Sequence, residues 1–493
     1  MTQEQARLPY AFALRTGAIL SGDRTSGITL LHRDKMSLPI LLECQRLSGR
    51  IDAFKQLSAS DFELALAETY KSSASRAADL AAESNSDLAA LADDAAASED
   101  ILDDRANAPV VQLINALLSE AIREKASDIH IEPHEARLVI RFRIDGVLRD
   151  RIEPKRNLAP MLVSRIKVMA GLDIAEKRKP HDGRVTLNVG GHEVDVRVST
   201  IPSQYGERVV LRLLDRTTAK FNLTQLGMTH SDHALTERLL AKPGGMILVT
   251  GPTGSGKTTT LYSAITYLND RSRNIMTVED PIEYAFDGIG QMQVNPHKGV
   301  TFAEGVRVLM RQDPNVILIG EIRDSETASA AVRATTSGHL VLSTLHTTSA
   351  IASITRLIDM GVDRYLLATI LSGLIAQRLV RRLCDTCKLA DELTETEASR
   401  LGKGAEIGMP VFRAVGCPAC AAYGYRGRTA IYEVVEVDGE LEKLIHSGAA
   451  ESELTALARL RGPSLSMDGA ARIREGITTV EEVLSAADVG KEP

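Results

Sequence analysis

The chain has 493 residues, of which 44% are hydrophobic and 25% are charged, and its formal net charge is −7. This length exceeds one ordinary core and predicts about two to four domains. The acidic balance argues against non-specific nucleic-acid binding as the main task, because proteins with that task are usually basic. The sequence contains no apolar run of the roughly twenty residues that a membrane span needs, and its start does not resemble a signal peptide. We therefore expect a cytoplasmic protein that only a partner could hold at a membrane.

The first part of the chain predicts a small N-terminal module, residues 1–70, followed by a linker, residues 71–107. The linker is dominated by Ala, Ser and Asp and has no aromatic residue. Such a composition buries little apolar surface, so we expect an acidic, mobile segment. Within the module, Cys44 is the cysteine that has no paired neighbour in the sequence, and we expect it to be a small buried residue.

Residues 108–215 predict an α+β domain. A helical period links the apolar residues Val111, Ile114, Leu117, Leu118 and Ile122. Alternating apolar and arginine residues then predict a hairpin whose turn is Asp145-Gly146. A second alternating pair of strands flanks Gly190-Gly191. These hairpins predict an antiparallel sheet.

Residues 229–382 have a different pattern, in which short apolar strands alternate with helical segments. The strands are "GMILVTG", "NIMTVED", "NVILIGE" and "HLVLSTLH". Strands that are apolar on both faces and separated by helices indicate a mostly parallel sheet. After residue 382 we expect a cysteine-containing subdomain, residues 383–425, and a helical end, residues 426–493.

The segment "GPTGSGKTT" matches the phosphate-loop pattern and follows an apolar strand, as that motif requires. Its backbone N–H groups would surround a phosphate at a helix N-terminus. Lys257 is expected to reach the β- and γ-phosphates of ATP, and Thr258 to offer its hydroxyl to Mg²⁺. The predicted nucleotide-binding residues are Gly251, Pro252, Thr253, Gly254, Ser255, Gly256, Lys257, Thr258 and Thr259.

Acidic residues follow the next two strands. Glu279 and Asp280 end one strand, with Glu283 nearby, and Glu321 ends the other. In an ordinary phosphate-loop ATPase the second position carries an aspartate that helps to hold Mg²⁺. Here the residues are Gly320 and Glu321. Because the carboxyl ends of parallel strands share one edge, these carboxylates could order Mg²⁺ through its waters and align an attacking water.

Two histidines, His339 and His346, flank the following strand, and either could contact a γ-phosphate or simply cap the strand. The site has no obvious additional cation of its own, which suggests an arginine from a neighbouring subunit. The residues alone leave four candidates in the α+β domain: Arg184, Arg197, Arg208 and Arg212.

Four cysteines form two CxxC pairs. In a reducing cytoplasm this pattern indicates a metal site and not disulfides. Four thiolates close a tetrahedral Zn²⁺ site, so the metal would be structural. The ligands would be Cys384, Cys387, Cys417 and Cys420. The 29-residue spacer, 417 − 387 − 1, is longer than a compact zinc finger needs, and we expect an insertion that loops out.

Together these motifs resemble the secretion ATPases that drive type II secretion and type IV pili. The similarity is carried by "GPTGSGKTTTLY", "TVEDPIEY", "RQDPNVILIGEIRDSETA" and "TSGHLVLSTLHT", with "SDIHIEP", "RFRIDG", "DGRV" and "GERVVLRLL" in the α+β domain. It implies a RecA-like α/β ATPase domain preceded by an α+β domain. The N-terminal "LPYAFALRTGAIL" is similar to the type II secretion branch.

The resemblance also implies roles for individual residues. Glu279 matches the water-activating glutamate and Glu321 the Walker B glutamate. His339 and His346 match the histidine box. Arg184 and Arg197 match the arginines that reach the nucleotide, which makes them stronger candidates for this role than Arg208 and Arg212.

The resemblance further implies a homo-hexamer at the inner membrane. Residues 1–70 would bind the cytoplasmic domain of a bitopic membrane protein. A membrane platform protein and acidic phospholipid are further expected partners, whereas nucleic acid is not. Three alternatives stay open: a type IV pilus assembly ATPase, a nucleic-acid motor and a nucleotide switch that does not hydrolyse ATP.

Overall fold

The computed structural model describes most of the chain from residue 107 onward and shorter stretches before it. The described residues are 8, 16–23, 27–33, 40–41, 44–45, 48, 50–58, 61–62, 65, 88–89, 91–92, 107–189, 192–215 and 221–488. The chain consists of two compact units, Met1–Thr217 and Thr218–Pro493.

The first unit begins with a small three-stranded sheet. Its strands are β1 (Ala18–Asp23), β2 (Gly27–His32) and β3 (Ala53–Gln56). β1 pairs antiparallel with β2, and β2 pairs parallel with β3. Cys44 is fully buried among the apolar residues of this sheet, which confirms the prediction of a small buried side chain. Much of the rest of the predicted module lies outside the described part of the chain.

A six-stranded antiparallel sheet forms the rest of the first unit, in the order β6-β5-β4-β9-β8-β7. The strands are β4 (Ala126–Pro133), β5 (Leu138–Ile144), β6 (Val147–Ile152), β7 (His181–Val189), β8 (His192–Ser203) and β9 (Gly206–Asp215). Two helices accompany it, α1 (Asn107–Arg123) and α2 (Leu158–Met169). The first predicted hairpin is confirmed: Ile144 pairs with Val147 across Asp145-Gly146, both of which have positive φ.

The two faces of this sheet differ because the strands alternate. Residues such as Ile129, Phe142 and Val196 are buried in one core with the apolar residues of α1 and α2. Arginines occupy the alternate positions. One row crosses four strands through Arg143, Arg212, Arg197 and Arg184, and Asp128 on β4 completes it.

The segment predicted to be a mobile linker contributes to that same core. Among its described residues, Leu88 and Ala92 are buried in this core, and Leu91 is partly buried against it. Residues at i, i+3 and i+4 lie on one side of a helical turn, so even an Ala/Ser-rich segment can present a narrow apolar stripe. Leu88 and Ala92 are thus buried residues within the predicted linker, whose mobility stays a prediction.

The second unit is built on a seven-stranded sheet in the order β12-β11-β13-β14-β10-β15-β18. All neighbouring strands are parallel except the last pair. The strands are β10 (Gly245–Thr250), β11 (Ile275–Glu279), β12 (Ile289–Gln293), β13 (Val316–Ile319), β14 (Leu340–Leu345), β15 (Leu371–Leu383) and β18 (Tyr425–Glu436). This confirms the prediction of an α/β parallel-sheet fold.

Helices connect these strands and complete the unit. Those before or between the strands are α3 (His230–Leu240), α4 (Lys257–Leu268), α5 (Phe302–Leu309), α6 (Ser325–Thr336), α7 (Ala352–Asp359) and α8 (Arg364–Ile370). The C-terminal helices are α10 (Gly439–Ser447), α11 (Glu451–Arg459), α12 (Leu465–Arg474) and α13 (Val480–Asp488).

The region around the cysteines differs from its sequence prediction in two ways. The spacer folds as β16 (Leu389–Glu392), α9 (Glu395–Leu401) and β17 (Pro410–Arg413), with Leu393 and Val411 buried in the main core. The end predicted to be helical starts with β18, which pairs antiparallel with β15 along nearly its whole length. Among the described residues, no helix combines the length and apolar character that a membrane crossing requires.

Candidate functional site

The phosphate loop joins β10 to α4, so its backbone lies at the carboxyl edge of the parallel sheet. Gly251 has φ 151°, and a Cβ there would lie 2.5 Å from the carbonyl oxygen of Gln377. Gly256 has φ 89° and directly precedes α4. The backbone path of this loop therefore requires glycine at both positions.

Lys257 begins α4 and turns back over its own loop. Its ammonium donates to the carbonyl oxygens of Gly251 at 2.7 Å and Pro252 at 3.0 Å. Burial, helped by the nearby Arg378, lowers the pKa of Lys257 to about 8, although Glu321 opposes the shift. Within the described part of the chain the hydrogen bonds of this buried ammonium go to carbonyl oxygens, so a phosphate bound here would add a directly paired negative charge.

Glu321 and His346 lie beside Lys257. Arg323 donates to Glu321 at 2.5 Å, and Nε2 of His346 lies 3.5 Å from the other carboxylate oxygen. Burial and the charge of Lys257 lower the pKa of His346, whereas the negative charge of Glu321 partly offsets this by raising it. The hydrogen bond to Glu321 is the main cause that raises the pKa of Arg323. The structure thus gathers one carboxylate, one imidazole and two cations next to the loop.

Glu279 ends β11 on the same edge but is separated from β10 by β13 and β14. Its carboxylate is 4% exposed. The hydroxyl of Tyr262 donates to Oε2, whereas the hydroxyl of Thr277 and the amide of Gln291 donate to Oε1 at 2.6 and 3.0 Å. Tyr262 lies on α4, so this helix connects the loop to Glu279.

His339 lies elsewhere. It precedes β14, and its carbonyl oxygen accepts from the N–H of Gly245, the first residue of β10. The phosphate loop follows the last residue of β10, so His339 is at the opposite edge of the sheet. Its Nδ1 is 2.7 Å from the carbonyl oxygen of Ala334. Of the two predicted histidines, the structure brings only His346 to the loop.

The two predicted arginines belong to the first unit. Arg184 donates to Asp195 at 2.7 Å, and that carboxylate is fully buried. Arg197 is the cross-strand neighbour of both Arg184 and Arg212. The described residues therefore show these arginines as part of the row across the face of the six-stranded sheet opposite its apolar core.

Gln377 on β15 is a site residue that the sequence analysis missed. Its amide nitrogen donates to the carbonyl oxygen of Ser255 at 2.6 Å, and its amide oxygen accepts from the hydroxyl of Thr260 at 2.7 Å. The side chain is 1% exposed. Gln377 on β15 thus stabilises the phosphate loop and the start of α4 by hydrogen bonds. A polar residue within a long apolar stretch was the only available signal.

The four paired cysteines meet at one point. Their Sγ atoms all lie within 4.8 Å of one another, and three of the pairs are 3.8 Å apart. A tetrahedral Zn²⁺ with Zn–S bonds of about 2.3 Å requires sulfurs about 3.8 Å apart, so the cluster fits this metal. Backbone N–H groups of Gly416, Cys417 and Gly424 donate to the sulfurs, as suits thiolates.

Comparison with known proteins gives a consistent result. The sequence model described as "Type II/IV secretion system protein" matches residues 103–485, and the model of an N-terminal domain of "GSPII protein E" matches residues 7–70. The type II secretion system protein E of Pseudomonas aeruginosa is 54% identical over 480 residues, covering 97% of this chain and 95% of that protein. The type II secretion system ATPase E of Vibrio cholerae is 48% identical over 487 residues, covering 98% and 97%.

Solved structures show the same fold. The ATPase DotB of Legionella pneumophila has a TM-score of 0.57 at 23% identity and covers 77% of this chain and 95% of its own. The pilus retraction motor PilT has a TM-score of 0.52 at 28% identity, with coverage of 76% and 96%. The curated relatives favour type II secretion over the pilus alternative. The chain belongs to the type II/IV secretion system protein family, in its type II secretion ATPase branch.

Proposed function

We propose that the chain hydrolyses ATP at the carboxyl edge of its parallel sheet and that this reaction powers type II secretion. The observation that carries the proposal is the cluster of Lys257, Glu321 and His346 against an intact phosphate loop. A buried ammonium with a lowered pKa in such a loop is prepared for phosphate and not for a structural ion pair. PilT, of the same fold, was solved with bound ADP, which supports a nucleotide in this place.

In the proposed reaction, water attacks the γ-phosphorus of ATP. The new P–O bond forms as the bond from phosphorus to the β,γ-bridging oxygen breaks, giving ADP and inorganic phosphate. Glu279 accepts the proton that the water loses. Lys257 stabilises the negative charge on the β- and γ-phosphates.

Thr258 follows Lys257 in the first turn of α4 and would offer its hydroxyl to Mg²⁺, which neutralises phosphate charge when bound. Glu321 lies near this point and would hold waters around the cation. Arg184 and Arg197 are proposed to supply further positive charge to the transition state, as the family resemblance implies. A neighbouring subunit of a hexamer would be the source of that charge.

The coupling to secretion is also a proposal. We infer that residues 1–70 bind the cytoplasmic domain of a bitopic inner-membrane protein, which would hold this cytoplasmic ATPase at the membrane. The match of residues 7–70 to an N-terminal domain of GSPII protein E supports a dedicated module here. A platform protein and acidic phospholipid are proposed as further contacts.

The test is steady-state phosphate release by the full chain with Mg²⁺ and ATP. Lys257→Ala should abolish both binding and turnover. Glu279→Gln should lower kcat at least about 100-fold while nucleotide still binds, because the proton acceptor is lost whereas Lys257 and the phosphate loop are unchanged. Glu304→Gln, which changes an exposed carboxylate paired with Arg307, is the matched control and should leave kcat within about twofold.

The same assay separates the alternatives. A nucleic-acid motor predicts stimulation by DNA, whereas the proposed function predicts stimulation by acidic vesicles together with the cytoplasmic domain of the membrane partner. A nucleotide switch predicts no loss of turnover in Glu321→Ala. Turnover by the wild type that Glu279→Gln and Glu321→Ala both retain would contradict the proposed site.

A further inference from the structure

The hydrogen bonds of Glu279 divide unequally between its two oxygens. Oε1 accepts from Thr277 and Gln291, whereas Oε2 accepts from the hydroxyl of Tyr262. A carboxylate oxygen has two lone pairs. Within the described part of the chain, Oε1 is therefore filled, and Oε2 keeps one acceptor position. That position is where a water could bind.

Tyr262 is held firmly enough to set the direction of Oε2. Its ring is 1% exposed. It packs edge-on against Phe221 at 5.2 Å and Phe286 at 4.9 Å between ring centroids. Its hydroxyl also accepts from the N–H of Glu283 at 3.3 Å. With one donor and one acceptor contact, the phenol has a fixed orientation.

The position of Tyr262 in the chain gives this contact a catalytic meaning. Tyr262 and Lys257 lie on the same helix, five residues or about 7.5 Å of helix rise apart. Lys257 would hold the phosphates, and Tyr262 holds the carboxylate. Helix α4 thus fixes the distance between Lys257, which would bind the phosphates, and Glu279, the proposed proton acceptor. This matters because β10, which leads into the phosphate loop, and β11, which ends at Glu279, are not neighbours in the sheet.

We propose that Tyr262 is a positioning residue that directs Oε2 of Glu279 toward the attacking water. This inference rests on the proposed function, because it assigns Glu279 the role of proton acceptor. Tyr262 itself does not exchange a proton: burial and the neighbouring Glu279 raise the pKa of its phenol far above neutrality. It acts as a neutral donor throughout the reaction.

The test compares Tyr262→Phe with a matched variant, Tyr425→Phe. Phenylalanine keeps the ring and its packing but removes the hydrogen bond. We expect kcat to fall about 10-fold or more, because a hydrogen bond to a charged group is lost. KM and nucleotide affinity should stay close to wild type, and Tm should fall because the buried carboxylate of Glu279 loses a partner. Tyr425 is partly buried, and its hydroxyl is 3.0 Å from that of Thr479, which is not one of the residues assigned to the nucleotide site. Tyr425→Phe should keep kcat within about twofold.

A double variant distinguishes positioning from general packing. In Glu279→Gln the proton acceptor is already lost, so adding Tyr262→Phe should lower kcat no further. Ring-fluorinated tyrosines at position 262 provide a second series that preserves volume, and kcat should change progressively as the phenol becomes more acidic. These two results would support the inference independently of any effect on folding.

The outcomes also separate this inference from the proposed function. A wild-type chain without ATPase activity under stimulating conditions would overturn both. An active wild type in which Tyr262→Phe retains kcat within twofold would overturn only the role of Tyr262. A constant kcat in the fluorinated series would also overturn the role of Tyr262 alone. So would a double variant in which Tyr262→Phe and Glu279→Gln lower kcat additively.

Discussion

Lys257 shows how a single side chain prepares the site for its ligand. Its ammonium is buried and held by two carbonyl oxygens, with a pKa lowered to about 8. This shift favours the neutral form compared with the unfolded chain, whose lysine pKa is about 10.4. The free energy of unfolding therefore increases through this group as the pH rises from about 8 to about 10.4.

We predict that nucleotide binding above pH 8 takes up protons at Lys257. At pH 9 most of this side chain is neutral in the free protein, and the phosphates favour the charged form. Calorimetric titration with ADP in buffers of different ionisation enthalpy should therefore show proton uptake that is smaller at pH 7 than at pH 9.

Lys242→Met is the control for this measurement, because Lys242 is partly exposed and paired with Glu436. It should retain the uptake at pH 9. Equal proton uptake at pH 7 and pH 9 would contradict the prediction.

At the residue scale, the sequence predicted what local spacing encodes. The phosphate loop and the cysteine pairs are contiguous patterns, so Lys257, Thr258 and the four cysteines could be proposed as site residues without a structure. Gln377 and Tyr262 could not, because their partners are distant in sequence: Gln377 lies 122 residues from Ser255. His339 was grouped with His346 by motif, but a parallel strand places its two ends at opposite edges of the sheet.

At the element scale, the sequence analysis missed three strands of the seven-stranded sheet, β12, β15 and β18, and β15 is the longest of them. It is 13 residues long and lies between β10 and β18. The predicted strands were short and apolar, whereas this one contains Gln377, Arg378 and Arg381. Gln377 and Arg378 are nevertheless buried, because each bonds to backbone carbonyls near the phosphate loop. A strand whose polar residues find their partners only in the tertiary fold lacks the apolar pattern by which a buried strand is recognised in a sequence.

We predict that Gln377→Leu weakens nucleotide binding about 10-fold and lowers the free energy of unfolding by about 1–3 kcal/mol, because Ser255 and Thr260 each lose a buried partner. Gln377→Glu keeps an acceptor for the hydroxyl of Thr260 and should lie between wild type and Gln377→Leu in nucleotide affinity. Fluorescent-nucleotide titration and urea unfolding measure the two effects. Unchanged nucleotide affinity in Gln377→Leu would show that the phosphate loop does not depend on the hydrogen bonds of Gln377.

The tetracysteine cluster predicts a separable metal effect. Cys420→Ser, or a strong chelator, should release zinc and unfold the region of residues 383–425 while ADP still binds at the phosphate loop. The reason is that structural zinc contributes directly to the folding of the segment that holds it. Metal analysis and limited proteolysis report the first effect, and nucleotide titration reports the second.

Cys44→Ser is the matched control, since Cys44 lies in the first unit and outside the cluster. It should leave the zinc content unchanged. A chain whose cysteines bind no zinc, or whose nucleotide binding disappears together with the metal, would contradict this separation.

At the scale of the whole molecule, the chain has two units with separate hydrophobic cores. Phe142 is fully buried in the first unit, and Leu248 on β10 is fully buried in the second. Phe142→Ala should destabilise its own unit by about 3–5 kcal/mol through the lost packing and the remaining cavity. Hydrogen exchange should then accelerate in β4, β5 and β9.

Leu248→Ala provides the reciprocal control, with an expected cost of about 2–5 kcal/mol in the second unit. Faster exchange should then be found in β10, β14 and β15, which surround it in the sheet. If either substitution accelerated exchange equally in both units, the chain would unfold as one cooperative body and the prediction would be wrong.

The connection between β15 and β18 has a consequence for chain entropy. These strands form a hairpin, yet 41 residues (425 − 383 − 1) separate Leu383 from Tyr425. Cys384 directly follows β15, and Cys420 precedes β18 by only four intervening residues. A bound metal would therefore turn a very long hairpin loop into a short one, lowering the entropic cost of closure by roughly 2 kcal/mol. With the metal bound, the insertion that contains β16, α9 and β17 would therefore add little to the entropic cost of pairing β15 with β18.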